Sequence, residues 1–280
     1  MQVVHTIKEV RELVNAARSN GKNIGFVPTM GALHDGHISL IKASKSNNDF
    51  VVVSIFVNPT QFLPSEDLDS YPRTLASDTE KCEQNGVDVV FAPSANEMYP
   101  DNFNTWVEVY EIQDLYEGSR RKGHFKGVAT VCMKLFNIVN PDRAYFGQKD
   151  YQQLLIIKKM IKDLNMHIEI VAVPTVREED GLAMSSRNTY LSSRERHIAP
   201  IIYKSLKAAE DAYKMGSRDP KVLLAIVEDV LSTDTHIEPY YVELVDAETL
   251  LPVEKITKQV VILIAAKLGS TNLIDNIILG

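Results

Sequence analysis

Five short runs rich in β-branched and aromatic residues, each followed by a segment with helical spacing, constrain the fold of this chain most strongly. The clearest run is Phe50–Val57, which is apolar throughout except for Ser54. A near-continuous apolar run is typical of a strand buried on both faces of a parallel sheet. The pattern predicts strands at 24–27, 50–57, 87–91, 142–146 and 168–173, and helices at 6–20, 36–46, 74–85, 125–139 and 151–164. This alternation indicates an α/β fold with a Rossmann-like, doubly wound parallel sheet.

The sequence changes character after Pro174. A charged turn at 177–181 leads through polar residues into segments that predict helices at 194–215 and 220–231 and strands near 239–245 and 259–266. A chain of 280 residues is long enough for two domains of unequal size. We therefore expect a Rossmann-like domain over residues 1–175 and a smaller α+β C-terminal domain over residues 176–280, joined by a hinge at about 175–190.

Composition excludes several classes of protein. The net charge of −7 argues against broad nucleic-acid binding, which depends on clustered lysine and arginine. The first residues, Met1 to His5, lack the layout of a signal peptide, and no apolar run approaches the length of a membrane span. The two cysteines, Cys82 and Cys132, fit no zinc pattern and no disulfide framework, so we expect buried reduced thiols. These features together predict a cytoplasmic protein.

The segment between the first predicted strand and its helix, Met30–His37, carries two histidines three residues apart. A helix N-terminus presents unpaired backbone N–H groups and the positive end of a dipole, which favours a phosphate. The imidazoles of His34 and His37 can add donors at the same place. The alternative is a pair of surface histidines beside an ordinary turn.

Two more predicted strands end in polar residues. Asn58–Gln61 follows the second strand, where Pro59 prevents the strand from continuing, and Gly147–Asp150 follows the fourth. Lys149 has no structural need at that position and can meet a phosphate as a point charge, whereas Asp150 can serve simply as a helix N-cap. Ligands of doubly wound sheets bind beyond the carboxyl ends of the strands, so these segments predict one crevice.

The segments at 63–73 and 96–124 are less regular. Residues 63–73 predict a loop over one edge of the sheet, and residues 105–109 predict a short edge strand. The basic loop at 118–124 is either a solvated turn or an anion-facing lid. Asp78, at the start of a predicted helix, is either a metal contact or a first-turn carboxylate favoured by the helix dipole.

Two motifs together carry a resemblance to known proteins. His34-Asp35-Gly36-His37 and Met184-Ser185-Ser186-Arg187 resemble the HIGH and KMSKS signatures of the nucleotidyltransferase superfamily that includes class I aminoacyl-tRNA synthetases. With the segments at 28–34, 56–62, 71–74, 146–153 and 185–191, the chain is similar over nearly its whole length to the pantothenate synthetase (pantoate–β-alanine ligase) family.

This resemblance implies an ATP-dependent ligation in two steps. The carboxylate of pantoate attacks the α-phosphorus of ATP, which gives pantoyl adenylate and pyrophosphate. The amine of β-alanine then attacks the acyl carbon and releases AMP and pantothenate. The family also implies Mg²⁺ with the nucleotide, a homodimer, nucleotide and pantoate bound by the first domain, and a C-terminal domain that acts as a lid.

The resemblance also assigns roles to residues. The phosphates are contacted by His34, His37, Lys149 and Arg187, with His37 as the proton donor. ATP binding falls on Met30, Gly31, Ala32, Leu33, His34, Asp35, Gly36, His37, Gly147, Gln148, Lys149, Asp150, Val176 through its backbone, Met184, Ser185, Ser186 and Arg187. Pantoate is assigned to Gln61, Gln153 and Asn58, and β-alanine also to Gln61. No Mg²⁺ ligand is assigned.

Two rival functions are compatible with part of this pattern. Another adenylyl or cytidylyl transferase of the superfamily would share the paired histidines but would have no reason for the amides at Asn58, Gln61 and Gln153. A catalytically silent nucleotide sensor would bind ATP without releasing pyrophosphate. A tRNA synthetase is disfavoured by the acidic charge and the lack of a further domain for tRNA.

Overall fold

The computed structural model describes residues 1–64 and 66–280. Ser65, within the predicted loop at 63–73, lies outside the described residues. The chain divides into two compact units, and each is described by itself: the first comprises residues 1–148 and 152–174, and the second comprises residues 149–151 and 175–280. The roles predicted for the two parts, a nucleotide- and pantoate-binding domain and a lid, stay predictions.

The first unit is built on a six-stranded parallel sheet. Its strands are β1 (Gln2–Val4), β2 (Ile24–Thr29), β3 (Phe50–Ile55), β4 (Val89–Phe91), β5 (Arg143–Gly147) and β6 (Glu169–Val173). Their order across the sheet is β1-β4-β3-β2-β5-β6. The predicted α/β class is therefore confirmed. The chain moves from β2 to β3 and β4 on one side and returns to β5 and β6 on the other, so the strand order reverses between β2 and β5.

Helices cover both faces of this sheet. They are α1 (Ile7–Ser19), α2 (Asp35–Asn47), α3 (Leu75–Gln84), α4 (Ala95–Met98), α5 (Tyr116–Arg120), α6 (His124–Val139) and α7 (Tyr151–Asp163). Phe26 of β2 belongs to the apolar cluster shared with α1, α6 and α7, whereas its neighbour Val27 belongs to the cluster shared with α2 and α3. Successive strand residues point to opposite faces, which explains why the central strands are apolar throughout.

The two cysteines are buried in these clusters as free thiols, as expected from the sequence. Burial raises the pKa of both thiols to about 12. Each thiol therefore stays protonated near neutral pH and serves as a small apolar group.

Two sequence expectations in the first unit were wrong. Residues 105–109 form no strand: the Val107 N–H donates to the Thr130 hydroxyl at 3.0 Å, and the Val109 N–H donates to Gln113 Oε1 at 3.0 Å. Side chains thus take the backbone donors that a neighbouring strand would need. The predicted basic loop at 118–124 is partly helical, since it contains the end of α5 and the start of α6.

The second unit contains a three-stranded antiparallel sheet, β7 (Ile237–Asp246), β8 (Val260–Leu268) and β9 (Thr271–Leu279), in that order. Helices α8 (Ser193–Ile198), α9 (Ile201–Lys214) and α10 (Pro220–Leu231) share an apolar cluster with this sheet. The single helix predicted at 194–215 is divided at Ala199–Pro200. Strand β9 was missed because Asn272, Asp275 and Asn276 interrupt its apolar pattern. Among the described residues, no helix combines the length and apolar character needed to cross a membrane.

The packing of α2 against β2 makes a prediction about stability. A Cβ atom at Gly25 would lie 2.2 Å from Ser44 Oγ and 2.5 Å from Asn48 Nδ2. Asn48 cannot yield freely, because its amide also donates to the Tyr145 hydroxyl at 2.7 Å. We expect Gly25→Ala to destabilise the protein by about 1–3 kcal/mol, as overpacking of a dense core does, measured by urea denaturation.

Gly147→Ala is the matched control, since a Cβ atom there meets no atom within 4 Å. Its unfolding free energy should stay within about 0.5 kcal/mol of the parent value. Equal urea midpoints for Gly25→Ala and the parent would contradict the close packing described here.

Candidate active site

The two histidines of the 34–37 motif form a reciprocal cap at the start of α2. His34 Nδ1 accepts the N–H of Gly36 at 3.1 Å, and His37 Nδ1 accepts the N–H of His34 at 3.3 Å. Their ring centroids lie 4.1 Å apart. Since Nδ1 is the acceptor in both rings, each neutral imidazole carries its proton on Nε2. The helix start thus fixes both the tautomer and the orientation of the two rings.

The turn before this cap has a left-handed backbone. Gly31 has φ 84° and Ala32 has φ 50°. For a residue with a side chain, such as Ala32, this conformation is unfavourable in free energy. The N–H of Gly31 donates to the Thr29 hydroxyl at 3.1 Å, and those of Ala32 and Leu33 donate to the carboxylate of Asp78 at 2.9 Å and 2.8 Å. The N–H groups of Ala32 and Leu33 are therefore committed to Asp78 and do not serve as donors to an anion at the start of α2.

A second polar segment follows β3. Asn58 caps the short 3-10 helix Pro59–Gln61, and its Nδ2 donates to Gln61 Oε1 at 3.1 Å and to the carbonyl of Gly127 at 3.2 Å. Asn58 Oδ1 accepts the Thr60 hydroxyl at 2.9 Å. Asn58 is 1 % exposed and its amide is engaged within the protein, so it orients the amide of Gln61. Its predicted direct contact with pantoate stays a prediction.

Gln61 also connects the ends of β2 and β3. Its Nε2 lies 2.9 Å from Met30 Sδ, so the first two predicted binding segments are brought together. Gly147 ends β5, which is paired with β2, and Gln148 follows it. Gln153, in the first turn of α7, is half-buried. The predicted residues of the first unit thus lie at or just beyond the carboxyl ends of the central strands.

Sequence reasoning missed His124. Its Nδ1 lies 2.7 Å from the carbonyl oxygen of Gln61 and its Nε2 lies 3.0 Å from Arg121 Nη1. A Cβ atom at Gly127 would lie 2.3 Å from the carbonyl oxygen of Thr60, so α6 approaches the 58–61 segment at backbone distance. The only sequence signal was a Gly-His pair at the end of a basic run.

The Arg121 guanidinium settles the nature of the basic run. It donates to both oxygens of Glu66, at 2.6 Å and 2.8 Å. Burial raises the pKa of the Glu66 carboxyl, but the Arg121 hydrogen bond and charge outweigh that effect and lower it overall. Arg121 is therefore neutralised by an internal partner, and at this residue neither the solvated turn nor the anion-facing lid describes the structure.

The remaining predicted residues belong to the second unit, on two stretches. Lys149 and Asp150 lie in a 3-10 turn, with Lys149 Nζ 3.5 Å from Asp150 Oδ1. Val176 and Met184 pair through the backbone, the Met184 N–H donating to the Val176 carbonyl at 3.0 Å. Ser185 caps the short 3-10 helix Ser186–Tyr190, which carries Arg187.

Residues of strand β9 form hydrogen bonds with both stretches, the one at 149–150 and the one that begins at 176. Arg177, next to Val176, donates to the two oxygens of Asp275 at 2.6 Å and 2.9 Å. The next residue of the strand, Asn276, donates through Nδ2 to the carbonyl of Lys149 at 2.9 Å. Neither residue was singled out from sequence, because nothing in the local pattern connects positions 275 and 276 to positions 149 and 177.

The described residues show no group of three or more histidine, cysteine, aspartate or glutamate side chains arranged to hold a metal ion. Asp78 illustrates this point, since it is 0 % exposed and its oxygens accept hydrogen bonds from the turn. The protein therefore provides no cage for a divalent cation in the part of the chain described.

Comparisons with known proteins are consistent over the full length. Residues 2–278 match the family model described as pantoate-beta-alanine ligase. The pantothenate synthetase of Caldicellulosiruptor saccharolyticus is 53% identical over 278 residues, covering 99% of this chain and 99% of that protein. The pantothenate synthetase of Thermotoga petrophila is 51% identical over 280 residues, with both chains covered completely.

Solved structures agree. The pantothenate synthetase of Thermus thermophilus superposes with a TM-score of 0.95 at 44% identity and covers 99% of both chains. A Francisella tularensis pantoate-beta-alanine ligase, solved with beta-gamma ATP and beta-alanine, gives a TM-score of 0.81 at 37% identity and covers 99% of this chain and 97% of that one. Full-length similarity at these levels shows that the chain belongs to the pantoate–β-alanine ligase family.

Proposed function

We propose that this chain condenses (R)-pantoate with β-alanine at the expense of ATP, through pantoyl adenylate, and releases pyrophosphate and AMP. The observation that carries the proposal is the reciprocal histidine cap at the reversal of strand order, in a chain of this family. The Francisella tularensis relative was solved with a form of ATP and β-alanine, which supports these two as ligands here.

The chemistry explains the donors. A carboxylate does not condense with an amine unaided, because its oxygen is a poor leaving group, and adenylation supplies a better one. Attack on the α-phosphorus builds negative charge on a five-coordinate centre, which preorganised donors stabilise. We assign this role to His34, His37, Lys149 and Arg187. We assign His37 as the proton donor, acting through Nε2, because its Nδ1 accepts the N–H of His34.

The amides fit the acid and the amine. Pantoate carries a carboxylate and hydroxyl groups, and an amide side chain can donate to one and accept from the other. We assign pantoate to Gln61 and Gln153, with Asn58 orienting Gln61. Gln61 is also the contact for β-alanine. A transferase acting on a phosphorylated precursor has no need of this set.

Three further assignments complete the proposal. Mg²⁺ accompanies ATP on its phosphates, as the family resemblance implies. The family resemblance favours a homodimer, which sedimentation at several concentrations would test. A reducing cytoplasm suits the two buried free thiols.

The experiment that tests the proposal follows AMP. The purified protein is incubated with ATP, Mg²⁺, D-pantoate and β-alanine, and each acid or amine is then left out in turn. AMP should form only with pantoate present and should accumulate with turnover only when β-alanine is added. AMP formed without pantoate, or no AMP at all, would contradict the substrate assignment.

His37→Ala tests the proton donor. The variant should retain its fold but lose pantoate-dependent pyrophosphate release by about 10²-fold or more, the scale for removing an electrostatic or acid–base group. Thermal melting should show that the free energy of unfolding falls by about 0.5–2 kcal/mol, since a capping group is also removed. His167→Ala, an exposed position, is the control and should keep parental activity. Near-normal turnover of His37→Ala would end the assigned role.

Arg187→Ala separates the two half-reactions. Because Arg187 is assigned to the departing pyrophosphate, its loss should slow adenylation by about 10²-fold and leave the reaction of preformed pantoyl adenylate with β-alanine nearly unchanged. Single-turnover assays of each step measure this difference, with the exposed Arg194→Ala as the matched control. Equal losses in both steps would refute a role on the pyrophosphate side.

A further inference from the structure

A buried carboxylate next to the histidine cap has no part in the chemistry assigned above. Asp78 lies in the first turn of α3 and is 0 % exposed. A carboxylate is seldom fully buried unless donors satisfy it. Here three donors do so: the N–H of Leu33 on Oδ1 at 2.8 Å, and the N–H of Ala32 and the Thr74 hydroxyl on Oδ2 at 2.9 Å and 3.0 Å.

We propose that Asp78 is a positioning residue for adenylation: its carboxylate holds the turn at Gly31–Leu33 and thereby sets where the His34 and His37 rings stand. This inference rests on the proposed function. Leu33 directly precedes His34, the N-cap of α2, so the position of its backbone determines where the cap begins.

The turn needs such an anchor because its backbone is left-handed. Gly31 and Ala32 have φ 84° and 50°, and an L residue such as Ala32 rarely adopts this conformation unaided. The hydrogen bonds from two N–H groups to one carboxylate offset the free-energy cost of that conformation. A Cβ atom at Gly31 would lie 3.1 Å from Asp78 Oδ2, so the carboxylate also occupies the space beside the turn.

Helix α3 holds the turn at a second point. Lys81, one helical turn after Asp78, donates through Nζ to the carbonyl of Leu33 at 2.5 Å. Leu33 is therefore held at both its N–H and its carbonyl by side chains of a single helix. Only a carboxylate can accept from Ala32, Leu33 and Thr74 together, because an asparagine offers one acceptor oxygen and turns an NH₂ group towards one of the donors.

These contacts distinguish a positioning role from that of a metal ligand. Both oxygens of Asp78 already accept hydrogen bonds, and the described residues provide no cluster of metal-ligating side chains around it. The role acts through the backbone of the turn, not through contact with substrate. Removing the carboxylate should therefore affect the geometry of the imidazoles and leave the affinity for a divalent cation unchanged.

Asp78→Asn tests this inference with two readouts. The first is pantoate-dependent AMP formation, in which kcat should fall about tenfold or more, the scale of one lost hydrogen bond to a charged group, with the KM for pantoate little changed. The second is ¹⁵N NMR of the histidine side chains, which reports the tautomer directly. The His34 and His37 signals should lose the pure Nε2–H pattern of the parent protein.

Asp88→Asn is the matched control. Asp88 also accepts a strand N–H, that of Val51 at 2.8 Å, and it pairs with Lys45 at 3.1 Å. It directly precedes β4, however, and so lies at the amino end of that strand, away from the histidine cap. It should lose stability without changing kcat per folded molecule or the histidine signals. Thr74→Val removes a single donor to Asp78 and should lower kcat by about two- to tenfold.

Two results would overturn the inference: parental kcat and parental histidine signals in folded Asp78→Asn, or a loss of activity that excess Mg²⁺ restores, which would make Asp78 a metal ligand. If Asp78→Asn does not fold, parental kcat in Thr74→Val overturns it. A parent protein that makes no AMP would refute the proposed function alone, because the histidine signals still report whether Asp78 positions the cap.

Discussion

Strand β2 is paired on both sides, with β3 and with β5, and the strand order reverses between β2 and β5. The polar segments that end β2, β3 and β5 meet at one edge because parallel strands all present their carboxyl ends there. A site at this edge requires no special loop architecture. It requires only that each strand end in residues that hold a fixed conformation and present polar groups.

Hydrogen bonds decide which groups those segments present. In the turn after β2, the backbone N–H groups of Ala32 and Leu33 donate to Asp78. The Nδ1 atom of each histidine accepts a backbone N–H at the start of α2. The same logic holds after β3, where Asn58 is engaged by its neighbours and orients Gln61. These hydrogen bonds within the protein fix the orientations of the two imidazoles and of the Gln61 amide.

The sequence predicted the features that depend on local pattern. Buried strands read as apolar runs, so β2, β3 and β4 were found close to their observed bounds, and the histidine motif was found from its position after a strand. Features that depend on distant partners were not predicted. Asp78 is ambiguous until Ala32 and Leu33 are seen to contact it, and His124, Asp275 and Asn276 belong to no local motif. The prediction for residues 105–109 failed for the opposite reason. The local pattern suits a strand, but side chains of Thr130 and Gln113 accept the backbone N–H groups that a neighbouring strand would need.

The central claim is that the carboxylate of pantoate attacks the α-phosphorus of ATP. Oxygen tracing tests this claim most directly, because the attacking oxygen stays on phosphorus when β-alanine displaces the adenylate. With pantoate labelled by ¹⁸O in its carboxylate, mass spectrometry should find one labelled oxygen in each AMP and none in pyrophosphate. Label in inorganic phosphate with ADP as the nucleotide product, or AMP without label, would contradict the account.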